Sequence, residues 1–346
     1  MADLLRAAFG LLAFASVAST ACAGGGFAVG ADVSWVTQME KSGSRFRTKP
    51  GAEKDLFALL NQDYGMNAVR LRVWVDPKDG WCGVKDTVEK AMRAKRAGMD
   101  VMVDFHYSDT WADPSHQTIP SAWAPYSNNV AKVSKLLADH TASVLRALKS
   151  AGVKPKWVQV GNETASGFVW PTGHTRNPDG YAALFKAGYA AAKGVFPDAI
   201  VMVHLDRGHD AGLYDWNLGL LADRGAKWDM IGMSLYPWWA QDKIPDHSRT
   251  ISMCEENIKR LSRKWKCDVM IVETGVLNRP KEPKVQQESR RELENILDMA
   301  RRRTDGRCRG VFYWEPECRE GPYQLGAFTN DGRPTEIMDA YGHYRR

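Results

Sequence analysis

The stretch VQVGNETASGFVWPTG, residues 158–173, decides how this chain is read. Val158 to Gly161 continue an apolar run from Trp157 and read as the end of a buried strand. Asn162 and Glu163 follow at once, then small residues and Phe168-Val169-Trp170-Pro171. An apolar strand that ends in an amide, a carboxylate and an aromatic loop points to a sheet whose strand ends carry chemistry.

Seven more short, β-branched runs flank this one. They are FAVGADVSW (27–35), AVRLRVWV (68–75), VMVDFHYS (101–108), IVMVHLD (200–206), MIGMSLYP (230–237), VMIVETG (269–275) and GVFYWEP (310–316). Helical stretches separate them. Examples are DTVEKAMRAKRAGM (86–99), NVAKVSKLLADHTASVLRALKSAG (129–152), GYAALFKAGYAAAKGVF (180–196) and VQQESRRELENILDMARRR (285–303), several of which end at glycine. Eight strands alternating with helices predict an α/β chain folded as one (β/α)8 TIM barrel. A doubly wound open sheet should carry a glycine-rich phosphate turn after an early strand, and the chain has none. No linker divides residues 24–346, so they are read as a single barrel domain.

Residues 1–23 are set apart from that domain. Arg6 precedes an apolar run from Ala7 to Ala18, and Ala21-Cys22-Ala23 has the small residues of a cleavage site, so a secretory signal peptide is expected. The alternative is a lipid anchor on Cys22, with Ser19 where such signals usually carry Leu. The run is too short to span a bilayer. A secreted or periplasmic protein follows, or one anchored at a bacterial surface. The remaining thiols are Cys82, Cys254, Cys267, Cys308 and Cys318, and they lack zinc-ligand spacing. Cys267 and Cys308 precede neighbouring strands, so a bridge between them is geometrically allowed; Cys254 and Cys318 form a second candidate pair.

The 346-residue chain has a net charge of +6 and is 44% hydrophobic. Its basic residues are dispersed apart from Arg301-Arg302-Arg303, which read as a solvated helix end. Nucleic-acid binding would need a basic stripe interleaved with aromatics, and none is seen.

In a barrel the chemistry lies at the C-terminal strand ends. His106, Asn162-Glu163, His204 with Asp206, Tyr236, Glu273 and Trp314 all fall there. Side-chain alternation places Arg70 and Arg72 inside the barrel, together with Asp32, Ser34, Asp104 and His106. A buried charge needs a partner, so an arginine beside Asp32 or Asp104 is expected. Glu163 and Glu273, on the fourth and seventh strands, face each other across the barrel mouth. Two carboxylates about 5–5.5 Å apart can act on a glycosidic bond as nucleophile and proton donor. Thirteen tryptophans is a high count, and Trp74, Trp111, Trp123, Trp170, Trp238, Trp239 and Trp314 fall at strand ends or in the loops after them, where a sugar face can stack.

Several segments resemble glycoside hydrolase family 53, the endo-β-1,4-galactanases. They are GADVSW, GMNAVRLRVWVDP, AGMDVMVDFHYSDTWADPSHQTIPSAW, VQVGNETASGFVWPTG, VMVHLD, WDMIGMSLYPWW, VMIVETG and GVFYWEPE, in order across residues 30–317. SDTWADPSHQTIPSAW is highly specific, whereas GNE marks only the wider clan of retaining barrel glycosidases. The resemblance implies that Glu163 is the acid/base and Glu273 the nucleophile. Asn162 then binds the sugar 2-hydroxyl, while Arg70 and Tyr236 hold the nucleophile. His106, Asp109 and Trp314 match segments near the cleaved bond or the next subsites, and Trp111, Trp170, His204 and Asp206 complete the expected set. The implied substrate is β-1,4-galactan or type I arabinogalactan, with no cofactor and no metal. TGVLNRPKEP (274–283) and CREGPYQLG (318–326) are short where relatives often have longer loops, which leaves the cleavage pattern open. Some bacterial relatives bind calcium in the late loops; no acidic loop here supports it. The alternatives are a same-clan enzyme for mannan or xylan, an inactive glycan-binding protein, and a barrel metallohydrolase. The last would need a His-x-His at a strand end, which is missing.

Overall fold

Strands form where β-branched and apolar residues must face two dry layers at once. In a computed structural model, which describes residues 26–319, 321 and 323–344, eight parallel strands close a barrel among the described residues. They are β1 (Ala28–Asp32), β2 (Ala68–Val73), β3 (Asp100–Phe105), β4 (Trp157–Val160), β5 (Ile200–Leu205), β6 (Met230–Leu235), β7 (Asp268–Thr274) and β8 (Cys308–Trp314). Each pairs with its neighbours in chain order, and β8 closes on β1 with Asp32 opposite Trp314. This is the expected (β/α)8 TIM barrel. A two-stranded hairpin, Gly167–Phe168 with Gly173–His174, sits in the loop after β4.

Seven of the longer helices among the described residues pack outside: α1 (Leu56–Tyr64), α2 (Val84–Arg96), α3 (Val130–Ser150), α4 (Pro178–Val195), α5 (Ala211–Ala222), α6 (His247–Trp265) and α7 (Pro283–Arg302). The 3-10 segment Glu336–Tyr344 packs on α7 and α1 and completes the ring. Asp55, Asn129, Asn177, Asp210 and Asp246 cap five of these helices by accepting an amide hydrogen in the first turn. None of the helices is long and apolar enough to cross a membrane among the described residues.

Side-chain alternation divides the core in two. Val69, Leu71, Val73, Val101, Val103 and their equivalents point out against the helices. Ala28, Ala68, Met102, Trp157, Met202, Met230, Met270, Val272 and Phe312 point in and plug the bottom of the barrel. Gly30 makes room for this plug, since a Cβ there would lie 2.4 Å from the Phe312 ring. Above the plug the interior turns polar, and that layer supports the site.

The two suggested disulfides do not form. Cys254 donates its thiol hydrogen to Met233 Sδ at 3.5 Å and Cys308 to the Gly310 carbonyl at 3.4 Å, while Cys318 is a buried thiol. One thiol of each suggested pair, Cys308 in the first and Cys254 in the second, is thus turned to an acceptor other than its expected partner. The expected signal peptide, residues 1–23 with Cys22, lies outside the described residues.

Candidate active site

The site begins with the second strand. Arg70 and Arg72 are fully buried and point inward, as alternation requires. Arg70 is the hub. Its Nε donates to Gln159 at 2.6 Å, Nη1 to Asp32 at 2.8 Å, and Nη2 to Asp104 at 2.9 Å and to Asn162 at 2.7 Å. Glu273 Oε1 lies 2.8 Å from Nη2. The arginine thus finds the partners its burial demands, and Asp32 and Asp104 are both among them. Burial works against its charge, but Asp104, Glu273 and Asp32 outweigh it and raise its pKa above the ordinary value.

Arg72 serves the aromatic wall. It pairs with Glu315, which also accepts the Trp35 amide hydrogen at 3.2 Å. Its guanidinium lies 4.2 Å from the Trp111 ring centre and 5.0 Å from that of Trp35. Trp35 packs edge-on to Trp111 and to Trp314, each at 5.3 Å between centres. Burial pushes the Glu315 carboxyl up to about 7, with Arg72 opposing.

The Nε2 of His106, on the loop after β3, lies 3.0 Å from Asp104 Oδ2, while its Nδ1 accepts the Ala112 amide hydrogen at 3.0 Å. Ala112 in turn accepts from Asn162 Nδ2 at 2.7 Å. The 108–123 loop is thereby tied to the end of β4. Asn162 has both ends of its amide committed, which fixes its orientation.

The carboxylates stand opposite each other. Glu273 takes Arg70 on Oε1 and the Tyr236 hydroxyl hydrogen on Oε2 at 3.1 Å. Glu163 accepts the Ser234 hydroxyl hydrogen on Oε1 at 2.5 Å. One oxygen of each glutamate and a ring nitrogen of His204 all lie within 4.8 Å of one another. Three such donors could in principle hold a metal ion. Both His204 nitrogens are already engaged, however, Nδ1 by the Glu163 amide at 3.2 Å and Nε2 by Ser234 at 2.9 Å.

The two carboxyls differ in surroundings. Burial, then the charges of Glu273 and Asp206, raise the Glu163 pKa well above the usual carboxylate value. Burial pushes Glu273 up to about 7, but Arg70 and the Tyr236 hydrogen bond hold it down. The shared proton therefore resides on Glu163 and the negative charge on Glu273. Burial and the Glu273 charge keep the Tyr236 hydroxyl protonated, so it stays a donor.

A cavity of about 850 Å³ opens over the pair. Trp35, Trp111, Trp239 and Trp314 flank it, with His106, Asn162, Asp206, Ser234 and Tyr236 at its polar centre. Asp206 is paired with Arg207 at 2.9 Å through one oxygen; its other oxygen has no partner among the described residues. The size and the mixture of aromatic planes with convergent polar groups suit a sugar chain.

The glycosyl hydrolase family 53 model matches residues 28–327. The chain belongs to glycosyl hydrolase family 53. An arabinogalactan endo-beta-1,4-galactanase from Thermothelomyces thermophilus is 33% identical to this family 53 chain over 311 residues, 83% of this chain and 88% of that one. A solved fungal beta-1,4-galactanase is 29% identical, with a TM-score of 0.80 over 91% of this chain and 98% of its own. The family 53 catalytic domain of Ignisphaera aggregans is 25% identical, with a TM-score of 0.82 over 92% and 96%.

Of the tryptophans singled out for stacking, Trp239 borders the cavity of this family 53 barrel but Trp74, Trp123 and Trp238 do not. Of the twelve residues in the set implied by the resemblance, His106, Trp111, Asn162, Glu163, Asp206, Tyr236, Glu273 and Trp314 border it, and Arg70 and His204 lie directly behind it. Two stand elsewhere. Asp109 braces the loops by accepting the amide hydrogens of Asp76 at 3.1 Å and Ser121 at 2.8 Å. Trp170 packs on His174 and donates to the Ser166 carbonyl at 3.0 Å, inside its own loop. Sequence reasoning passed over Ser234 and Trp35. Ser234 stands two residues before Tyr236, so alternation was signal enough. Trp35 follows the inward Ser34, and only the turn after β1 brings it to the cavity.

Proposed function

We propose that this glycoside hydrolase cleaves β-1,4-galactosidic bonds in galactan or type I arabinogalactan with retention of configuration. The observation that carries the mechanism is the pair of carboxylates within 4.8 Å, one against a cation and one against a hydroxyl donor. Carboxylate oxygens within 4.8 Å of each other leave no room for a water between carboxylate and sugar, which is what an inverting enzyme needs. The substrate reading rests on the similarity to the arabinogalactan endo-beta-1,4-galactanases.

Glu273, ionised beside Arg70, attacks the anomeric carbon from the face opposite the leaving oxygen. Glu163 gives its proton to that oxygen as the glycosidic bond breaks. The glycosyl ester on Glu273 removes its negative charge, so the Glu163 pKa falls and Glu163 takes a proton from the incoming water. The water oxygen bonds to the anomeric carbon and Glu273 leaves as carboxylate. Asn162 meets the sugar 2-hydroxyl, a contact that tightens as positive charge builds on the ring. Trp35, Trp111 and Trp314 supply faces for the neighbouring rings. Residues 1–23 act as an export signal, giving a secreted or periplasmic enzyme, or a lipid-anchored one if Cys22 is acylated.

Reducing-sugar release from unbranched β-1,4-galactan, with β-mannan and xylan in parallel and the products sized, tests this. Cleavage of galactan alone is expected. Cleavage of mannan or xylan in its place would keep the mechanism and reject the substrate.

A further inference from the structure

Glu163 sits in a backbone conformation that L-residues avoid, with φ at +46°. A residue held this way needs its surroundings to determine its position. His204 provides that on the backbone side. Its carbonyl accepts the Thr164 amide hydrogen at 2.9 Å and the Thr164 hydroxyl hydrogen at 3.1 Å. Its ring Nδ1 accepts the Glu163 amide hydrogen at 3.2 Å.

That last contact sets the direction of every hydrogen bond beyond it. A backbone amide can only donate, so Nδ1 is the bare nitrogen. The one ring hydrogen is then on Nε2 and goes to Ser234 Oγ, 2.9 Å away. Ser234 has its own hydrogen left to give, and Glu163 Oε1 lies 2.5 Å from it. Asn162 Oδ1, 3.0 Å from Nδ1, needs no hydrogen from the ring because Arg70 supplies one at 2.7 Å. The His204 ring is kept neutral by burial, then by the charge of Arg70. Two of the three groups are inside the barrel, His204 fully buried and Ser234 1% exposed, and Glu163 is half-buried.

We propose that Ser234, oriented by His204, is a positioning residue for Glu163, reserving Oε1 as an acceptor so that the catalytic proton enters and leaves at Oε2 alone. This rests on the acid/base reading of Glu163. It adds that the acid is aimed, and that its acidity is set by a balance. Glu273 from β7 and Asp206 from the end of β5 favour the protonated carboxyl; Ser234 from β6 and Arg70 from β2 favour the ionised one. Without the Ser234 donor, both oxygens compete for the proton and the ionised form loses a hydrogen bond.

The test is the pH dependence of kcat/KM and of kcat for wild type, Ser234→Ala and Ser234→Thr. The alkaline limb of kcat/KM reports the acid. In Ser234→Ala it should move up by about one pH unit, since one hydrogen bond to an ionised group changes its acid equilibrium by about tenfold. The rate kcat should fall further than kcat/KM wherever hydrolysis of the glycosyl-enzyme limits, because there Glu163 must be ionised. Ser234→Thr keeps the hydroxyl and should keep the wild-type limb. Ser234→Cys, of similar size with a weaker donor, should move the limb the same way by less, and it stands in if the alanine variant does not fold. An alanine or cysteine profile with an unmoved limb, whatever the loss in rate, would overturn the proposal. So would a threonine variant displaced as far as alanine. Glu163→Ala separates this from the underlying reading. On an aryl glycoside with a good leaving group, azide should restore its turnover. No azide rescue would remove the acid/base role itself, whereas rescue beside an unmoved Ser234→Ala limb would remove only the role of Ser234.

Discussion

Taking away Arg70 leaves Asp32, Asp104 and Glu273 buried around a missing cation. Breaking such a group from one side costs about 3–5 kcal/mol, because the remaining charges are stranded. Arg70→Met should therefore lose about that much stability in urea titrations, and its surviving activity should have an altered pH profile. Arg70 holds the Glu273 pKa down, so without it the acid limb of kcat/KM moves to higher pH. An unmoved acid limb would show that Arg70 does not tune Glu273. Glu163 allows a second prediction. Its folded pKa lies above the ordinary value of 4.5, so the stability it contributes is fully present below pH 4.5 and is lost as pH rises through the folded value. Glu163→Gln cannot ionise. The Tm of wild type should drop relative to that of Glu163→Gln as pH is raised, and a constant difference would contradict the shift.

The strands were legible because the eight β-branched runs alternate with helical stretches ending in glycine. Parity told more: that Arg70, Arg72, Asp104 and His106 point inward follows from a period of two, and their ion pairs follow from the cost of burying charge. Loops were a different matter. Trp170 stands in an aromatic stretch just after the strand that leads to Glu163, yet a hairpin folds it back onto His174. Asp109 sits in the most diagnostic segment of the chain and braces amides rather than bordering the cavity. Strand parity says nothing about a loop, whose path depends on contacts distant in sequence. The cysteines show the same limit: strand order brings Cys267 and Cys308 to one end of the barrel, but side-chain direction decides bonding. At this scale the Gly30–Phe312 contact makes a clean test. A methyl group at position 30 meets the Phe312 ring at 2.4 Å, so Gly30→Ala should cost about 1–3 kcal/mol by overpacking the plug. Adding Phe312→Leu should recover part of it. Failure of the double variant to recover any stability would show that the strain lies in the backbone.

The whole molecule separates its tasks along the barrel axis. An apolar plug of methionines, Trp157 and Phe312 supports a layer of ion pairs, and that layer orients the carboxylates under a tryptophan-lined cavity. With the thiols of the described residues unbridged, the barrel depends on packing rather than cross-links, so dithiothreitol should leave the Tm unchanged; a drop of several degrees would reveal a bridge. The central claim is that Glu273 attacks the sugar directly while Glu163 handles the proton. Proton NMR of the first product released from β-1,4-galactan tests it most directly. Double displacement predicts that the new reducing end appears first as the β anomer and only later mutarotates to the α form. An α anomer at the earliest time would mean a single inversion by water, and would contradict the assignment of Glu273 as nucleophile.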